Sequence, residues 1–239
     1  MSVHDVSGMS ANLERVTALV VNYRTPDYTR ACVDSFLRTY PQVRMLLVDN
    51  GSQDESTSTI VQIAAQHKNV ECLLNEENLN HGPAMHQGLQ AIETPYAFTL
   101  DSDTEVLKAG FLELMLRRFE NPDLYAIGSL SHKNRYGFNV QHKAKKFVRY
   151  INPHAMLLER EKYFNLPPFF HHGAPCIHNM QAVERTGWMV EDFPVHEYIY
   201  HLGRGTCSRY GYGLSPKTFI QGILFDRIPR FWAQLRKGG

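Results

Sequence analysis

The sequence predicts an α/β fold in which a mostly parallel sheet carries helices on both faces. Apolar, β-branched runs alternate with amphipathic segments through the first half of the chain, which is the pattern of repeated βα units. The 239 residues are 43% hydrophobic, enough to bury the core of one sizeable domain. Two of the apolar runs end in an aspartate, Asp49 and Asp101. Sheets of this kind bind ligands at the carboxyl ends of their strands.

The elements of the first half follow one another at short, regular intervals. Apolar and β-branched runs predict strands over residues 16–23, 43–48, 70–74 and 96–100. Helical spacing of apolar residues predicts helices over residues 29–40, 55–67 and 83–92. Right-handed crossovers between parallel strands would bring the loops that follow these strands to one edge of the sheet.

The second half is less regular. We expect a strand over residues 155–158 and a helix over residues 181–185 that stops at Gly187. The basic stretch 132–149 is expected to form a loop, either beside a binding site or simply solvated.

Composition narrows the possible partners and surroundings. A net charge of +1 does not suggest a nucleic-acid partner, and no run approaches the roughly 18 apolar residues of a membrane span. Residues 1–14 are polar and are expected to form a flexible tail without a secretory signal. The four scattered cysteines indicate free thiols in a reducing cytoplasm. Residues 216–239 form a basic amphipathic segment, which either docks on protein or lies on an anionic membrane surface.

The tripeptide Asp101-Ser102-Asp103 is the sharpest chemical signal. It follows a buried strand, so two carboxylates are presented together at the ligand-binding edge, where they favour a hard divalent cation and, with it, a phosphate. A solvated turn is the alternative. Asp49 follows the second strand in the same way, and its alternative role is to cap the turn before Gly51 and Ser52.

Four ordered motifs carry a resemblance to a known family. They are residues 16–24 (VTALVVNYR), 48–52 (VDNGS), 80–83 (NHGP) and 100–104 (LDSDT), and together they resemble the family 2 glycosyltransferases of the GT-A fold. The resemblance covers about residues 15–130 well and 150–206 more loosely. It implies a single GT-A domain over residues 15–215, with a Rossmann-like nucleotide-sugar-binding half (15–130) and an acceptor half (131–215).

The resemblance also implies roles for individual side chains. Val21, Tyr23 and Asp49 would hold the base and ribose of the donor. Asp101 and Ser102 would lie at the nucleotide sugar, and Asp103 would bind Mn²⁺ or Mg²⁺.

The resemblance also implies roles for two histidines and one arginine. His81 would either contact the donor or serve in a turn and helix cap. In residues 201–206 (HLGRGT), His201 would complete the metal site and Arg204 would meet the diphosphate.

The catalytic base departs from the family pattern. Many inverting members carry a Glu-Asp pair about a dozen residues before a Gly-Trp pair, but the corresponding positions here are Pro175 and Cys176. One alternative is a histidine of the cluster at 171–178, with His172 as the candidate. A second is a carboxylate from elsewhere, with Asp192 as the candidate beside Glu191 and Glu197. A third is a retaining mechanism without a protein base. A zinc site in the histidine cluster has no strong spacing signature.

The expected function is metal-dependent transfer of a sugar from a nucleotide diphosphate sugar to an acceptor hydroxyl, with UDP favoured by family frequency. The acceptor is open among a glycan, a lipid-linked molecule, a small molecule and a protein. The alternatives are a non-catalytic nucleotide-sugar-binding or scaffold protein and a nucleotidyltransferase, although the loop after the first strand lacks the glycines that the latter usually has. The expected location is the cytoplasm, with peripheral contact at the inner membrane face through residues 216–239 as an option.

Overall fold

The computed structural model describes residues 13–140, 147–170 and 173–202. Within these ranges the strands are β1 (Val16–Asn22), β2 (Arg44–Asp49), β3 (Val70–Leu74), β4 (Tyr96–Asp101), β5 (Thr104–Val106), β6 (Leu124–Lys133), β7 (Val148–Glu159), β8 (Met189–Asp192) and β9 (Ile199–His201). The helices are α1 (Pro26–Thr39), α2 (Glu55–Gln66), α3 (His81–Ala91), α4 (Phe111–Arg118), α5 (Arg160–Phe164) and α6 (Ile177–Val183), with a 3₁₀ turn at Val195–Glu197.

Seven of the described strands form one sheet in the order β3-β2-β1-β4-β7-β6-β8. Strands β1 to β4 pair parallel to one another, and β8 pairs parallel to β6. Only β7 among the described strands of this sheet runs antiparallel, between β4 and β6. The prediction of a mostly parallel sheet is confirmed, and the carboxyl ends of β1, β2 and β4 lie at one edge.

Helices cover both faces of the sheet, as the sequence predicted. One apolar cluster packs α1, α2 and α4 against the sheet through residues such as Phe36, Ile60 and Met115. The other packs α3, α5 and α6 on the opposite face, with Leu89 and Met180 in its interior. Burial of these side chains stabilises the fold by removing apolar surface from water.

The predicted elements of the first half match the observed ones within a few residues. The second half holds more regular structure than its sequence suggested. The stretch 132–149 is not wholly a loop, because β6 continues to Lys133 and β7 begins at Val148. The strand expected at 155–158 is the end of the much longer β7. Strand pairing with neighbours distant in sequence stabilises these segments, which carry weak local signals.

The remaining predictions for whole segments concern residues at the two ends of the chain. Residues 1–12 of the predicted tail and all of 216–239 lie outside the described residues.

Cys32, Cys72 and Cys176 are free thiols, as expected for the cysteines that the structure describes.

Candidate metal and nucleotide site

The loops at the carboxyl edge of the sheet hold unusual backbone conformations. Among the described residues, the non-glycine residues with positive φ are Arg24 (57°), Gln53 (53°) and Asn80 (71°). They lie in the loops that follow β1, β2 and β3, respectively. Strained conformations of this kind persist where the surrounding structure fixes them, and they cluster at functional sites. The edge that the sequence pointed to is therefore the best candidate site.

Three side chains converge at this edge to form a potential metal-binding group. The ligand atoms of Asp101, Asp103 and His201 all lie within 4.8 Å of one another. His201 Nε2 is 3.2 Å from Asp103 Oδ1 and 3.7 Å from Asp101 Oδ2. Two carboxylates and one imidazole are a donor set that suits Mn²⁺ and accepts Mg²⁺.

A small β-ribbon brings His201 to the Asp-x-Asp motif. Strands β5 and β9 pair antiparallel with Thr104 opposite His201, and the backbone N–H of Leu202 donates to the carbonyl of Asp103 at 3.0 Å. The hydroxyl of Thr104 donates to the carbonyl of Asp101 at 2.7 Å, which tightens the turn between β4 and β5. Backbone pairing, rather than a flexible loop, thus sets the spacing of the three ligands.

The carboxylates change the acid–base behaviour of His201. Burial lowers its pKa, but the hydrogen bond to Asp103 and the charges of Asp101 and Asp103 outweigh burial, so its pKa lies above the ordinary value. The ring of His154 stacks on His201 with centroids 4.7 Å apart and planes 2° from parallel. Burial lowers the pKa of His154 despite the nearby carboxylates.

His81 lies on the other side of Asp101. It is the first residue of α3, whose N-terminus follows Asn80 at the carboxyl edge. Its Nε2 is 3.7 Å from Asp101 Oδ1, so Asp101 lies between two imidazoles, those of His81 and His201. Whether His81 contacts a donor stays a prediction.

Asp49 lies beneath the site rather than in the open. It is 1% exposed. Its Oδ1 accepts from Asn22 at 3.0 Å and from the hydroxyl of Ser52, and its Oδ2 accepts from Thr57 at 2.6 Å. With both oxygens bonded inside the protein, the carboxylate fixes the loop after β2. Direct contact between Asp49 and a nucleoside stays a prediction.

Asn22, which the sequence reasoning gave no role, is the centre of this buried network. It is fully buried, and its Oδ1 accepts from the hydroxyls of Thr25 and Thr29, both at 2.8 Å. Thr25 in turn lies 3.2 Å from the hydroxyl of Ser102, which ties the loop after β1 to the Asp-x-Asp motif. The available signal was a polar residue ending an apolar strand, which Asn22 shares with Asp49.

A second asparagine network shapes the neighbouring loops. Asn50 Nδ2 donates to Asn78 at 3.0 Å, and Asn50 Oδ1 accepts from Asn75 Nδ2 at 3.2 Å and from the N–H of Leu79 at 3.1 Å. These contacts join the loop after β2 to the loop after β3. An open hollow of about 690 Å³ lies there, lined by Gln53, Asn75, Glu76, Glu77 and Leu79.

The other predicted nucleoside-binding residues lie at the same edge. Val21 and Tyr23 are half-buried at the end of β1 and just beyond it. The guanidinium carbon of Arg24 lies 5.2 Å from the centre of the Tyr23 ring. The structure thus groups Val21, Tyr23, Ser102 and the metal-binding side chains on one edge of the sheet.

The structure does not bring Asp192 into this group. Asp192 ends β8, which is separated from β4 by β6 and β7, an offset of roughly 14 Å at ordinary strand spacing. Its Oδ1 accepts from the backbone N–H of Leu130 at 2.9 Å. The other carboxylates considered also have partners, because Glu191 pairs with Arg118 and Glu197 with Lys108. His172 and Arg204 lie outside the described residues.

Comparison with known proteins decides the family. The family model Glycosyl transferase family 2 matches residues 17–182. The chain belongs to this family. The assignment confirms the resemblance carried by the four sequence motifs, and it decides against the nucleotidyltransferase alternative.

Curated relatives of this family 2 glycosyltransferase chain match about half of it. It is 28% identical over 113 residues to the teichoic acid poly(glycerol phosphate) polymerase of Staphylococcus epidermidis, covering 46% of this chain and 16% of that protein. It is 27% identical over 111 residues to the glycosyltransferase GlyG of Streptococcus pneumoniae, covering 46% of this chain and 36% of GlyG. The chain thus spans well under half the length of these relatives.

Solved structures share the fold. The mannosyltransferase PcManGT from Pyrobaculum calidifontis, in complex with GDP-Man and Mn²⁺, aligns with a TM-score of 0.62 and 15% identity over 75% of this chain and 55% of that one. S. aureus TarS 1-349 in complex with UDP-GlcNAc aligns with a TM-score of 0.57 and 15% identity over 77% and 57% of the two chains. These likenesses confirm the predicted GT-A fold.

Among the described residues, no helix has both the length and the apolar character of a membrane span. The predicted contact of residues 216–239 with a membrane lies outside the described part of the chain.

Proposed function

We propose that this protein transfers a sugar from a nucleotide diphosphate sugar to an acceptor hydroxyl, with a divalent cation held by Asp101, Asp103 and His201. The observation that carries the proposal is the convergence of these three side chains at the carboxyl edge of the sheet. PcManGT, whose structure contains GDP-Man and Mn²⁺, and TarS, whose structure contains UDP-GlcNAc, have this fold and support the proposal by analogy.

The residues present fit a divalent cation. Carboxylate oxygens are the preferred ligands of Mg²⁺ and Mn²⁺, and an added imidazole suits Mn²⁺ better than Mg²⁺. Asp103 is only 9% exposed. Water therefore screens its carboxylate weakly, and the attraction between this carboxylate and a cation is stronger than in open solvent. When bound, such a cation supplies Lewis-acid stabilisation of the negative charge that grows on a leaving diphosphate.

The residues at the ends of β1 and β4 are proposed to bind the nucleoside. Val21 and Tyr23 offer an apolar and aromatic surface for the base, and Asp101 and Ser102 offer acceptors and a hydroxyl for the ribose. We propose that Asp49 acts chiefly by holding the loop after β2, because its carboxylate is already bonded to Ser52 and Thr57.

Further proposed roles concern the diphosphate of the donor and the proton of the acceptor hydroxyl. His81 borders Asp101, and we propose that it donates to a sugar or phosphate oxygen of the donor. Arg204 is proposed to pair with the diphosphate, since a guanidinium matches phosphate oxygens in a bidentate manner. The base that accepts the acceptor proton remains a choice between His172 and Asp192. The position of Asp192 three strands away from Asp101 favours His172 or a mechanism without a protein base.

The donor base, the acceptor and the cellular location are finer points of the same proposal. UDP is the first candidate by family frequency, and GDP follows because PcManGT was solved with GDP-Man. The acceptor is an unidentified glycan, lipid-linked molecule, small molecule or protein. The cytoplasmic location, and peripheral membrane contact through residues 216–239, stay predictions.

One experiment tests the proposed activity directly. Purified protein is incubated with UDP-, GDP- and dTDP-sugars and MnCl₂, and release of free nucleoside diphosphate is followed, including slow hydrolysis without an acceptor. We expect release from one nucleotide class and its loss in Asp103→Asn. The matched control is Asp123→Asn, which changes an exposed loop carboxylate and should leave the rate unchanged.

The scaffold alternative makes a different prediction in the same assay. Because the family Glu-Asp pair is replaced by Pro175-Cys176, a protein that binds nucleotide sugars without turning them over remains the second candidate. Nucleotide binding with no product release from any donor would favour it and contradict the enzymatic proposal.

A further inference from the structure

His154 lies beside the metal-binding group, where its ring stacks on the ring of His201. The two rings are 4.7 Å apart between centroids and 2° from parallel. His154 precedes Ala155, which pairs with Leu100 across the antiparallel β4–β7 ladder, so His154 lies level with Asp101 at the carboxyl edge. The sequence gave no sign of this contact, because it joins two strands that are not neighbours in the sheets.

Hydrogen bonds from both neighbouring strands hold the backbone around His154. On the β4 side, the buried hydroxyl of Thr99 donates to the carbonyl of Pro153 at 2.6 Å. On the β6 side, Asn152 Nδ2 donates to the carbonyl of Ser129 at 2.8 Å. The His154 ring therefore projects from a well-fixed segment in the middle of the main sheet.

His201 has a less extensive anchor. It ends a three-residue strand of the two-stranded β5–β9 ribbon. Its Nε2 faces Asp103 and Asp101, the same carboxylates that would share a cation with it. Contacts to one ring nitrogen leave the ring free to turn about that nitrogen, whereas a parallel neighbour fixes the plane of the ring. Hydrogen-bonded groups around a metal-binding histidine likewise orient its imidazole.

We propose that His154 is a positioning residue that fixes the ring plane of His201 by stacking, so that Nε2 is presented to a divalent cation. The inference rests on the proposed metal site, and it assigns the effect to the face of the His154 ring rather than to its nitrogens. An aromatic ring without nitrogens should therefore replace His154, and a residue without a ring should not.

The test measures binding of Mn²⁺ alone, by the loss of the free-Mn²⁺ EPR signal on titration with purified full-length protein. We expect His154→Ala to weaken Mn²⁺ affinity by about 10-fold, the lower end of the effect of orienting partners around metal ligands. His154→Phe should stay within about 3-fold of the unmutated protein on the same reasoning. The matched control His196→Ala, an exposed histidine in the 3₁₀ turn, should leave affinity unchanged.

The outcomes separate the inference from the metal site itself. Equal affinity in His154→Ala and the unmutated protein would overturn the stacking role while leaving the metal site intact. Affinity lost equally in His154→Phe and His154→Ala would overturn it in favour of a ring-nitrogen role. If the unmutated protein bound no Mn²⁺, the proposed metal site and the stacking role of His154 would both be overturned. Circular dichroism and melting in EDTA check folding, and if His154→Ala does not fold, His154→Gln takes its place.

Discussion

The Nε2 atom of His201 lies 3.2 Å from Oδ1 of Asp103 because strands β5 and β9 pair antiparallel immediately beyond the Asp-x-Asp motif. One carboxylate comes from the turn after a central strand of the main sheet, and the imidazole comes from the far end of the described chain. The ribbon converts two motifs distant in sequence into one potential metal site. The hydrogen bonds between β5 and β9 therefore help to set the geometry of this site.

Removing one hydrogen bond of the ribbon should weaken metal binding. Leu202→Pro deletes the N–H that donates to the carbonyl of Asp103 at 3.0 Å. Because proline favours an extended residue before it, His201 can keep its strand conformation. We expect Mn²⁺ affinity to fall several-fold, and Leu202→Ala, which keeps the N–H and alters a partly exposed side chain, to match the unmutated protein. Equal affinities for the proline and alanine variants would show that the ribbon does not hold the site.

Metal affinity should depend on pH through His201. The pKa of His201 is raised because Asp103 and Asp101 outweigh the effect of burial, so protons compete with a cation for its ring above the ordinary histidine range. We expect Mn²⁺ affinity to weaken as the pH falls through this raised pKa. Titrations between pH 5.5 and 8 measure it, and His201→Ala should bind weakly with a flatter pH profile. A steep, unchanged profile in that variant would assign the pH dependence to another group.

The raised pKa of His201 also predicts that, without metal, the contribution of His201 to the stability of the protein falls as the pH rises. A raised folded-state pKa means that protonated His201 stabilises the fold, fully below its unfolded pKa of about 6.5. This contribution is lost as the pH rises through the raised pKa. His154, whose pKa is lowered, contributes with the opposite sign, so the comparison is made in a His154→Phe background. Melting in EDTA should then show a pH-dependent difference between that background and its His201→Ala derivative, largest at low pH.

Loss of the buried Asn22 side chain should destabilise the whole edge. Asn22→Ala removes one buried hydrogen-bond partner from each of Asp49, Thr25 and Thr29. Because a buried hydrogen bond contributes about 0.5–1.5 kcal/mol, and one to a charged group about 1.5–3 kcal/mol, we expect a loss of roughly 3 kcal/mol. That corresponds to a Tm about 10 °C lower for a domain of this size. The exposed control Asn165→Ala should change stability by less than about 0.5 kcal/mol. A Tm of Asn22→Ala close to that of the control would contradict the network.

Gly51 should be less replaceable than Gly110, although both have positive φ. A Cβ on Gly51, at φ 73°, would lie 2.3 Å from the carbonyl carbon of Glu77, whereas a Cβ on Gly110, at φ 98°, meets nothing within 4 Å. Gly110→Ala therefore carries only the backbone cost of a left-handed conformation, about 1–2 kcal/mol. Gly51→Ala must also displace the loop after β3, so we expect a larger loss of Tm and weaker nucleotide binding. Similar losses in the two variants would show that the loops do not pack as described.

The sequence revealed the part of the fold that local pattern controls. Strands β1 to β4 and helices α1 to α3 were predicted because each has strong periodicity and clear boundaries. Strands β5 and β9 have three residues each, too few for a period to be recognised. β7 was foreseen only at its apolar end. These strands depend on pairing with distant partners, which a single sequence does not show.

The residues of the candidate site also fall into those that local sequence predicts and those that depend on distant contacts. Asp101 and Asp103 could be placed at the carboxyl edge because they directly follow a recognisable strand. His201 came only from the family resemblance, and its contact with Asp103 required the ribbon. The burial of Asp49 could not be read from its motif, because it results from Asn22 and Thr57 folding around the carboxylate. His154 was missed since its role arises from an antiparallel neighbour of β4.

The most direct test of the central claim is whether a nucleoside diphosphate and a divalent cation stabilise the protein together through Asp103. Tm is measured with UDP, GDP or dTDP, each with MnCl₂ or EDTA, for the unmutated protein and Asp103→Asn. At 100 times Kd, binding stabilises the fold by about 2.7 kcal/mol, which is a Tm increase of roughly 5–10 °C. We predict this increase with one nucleotide class, only with Mn²⁺, and not in Asp103→Asn. No increase with any nucleotide, or an equal increase in EDTA and in Asp103→Asn, would contradict the account.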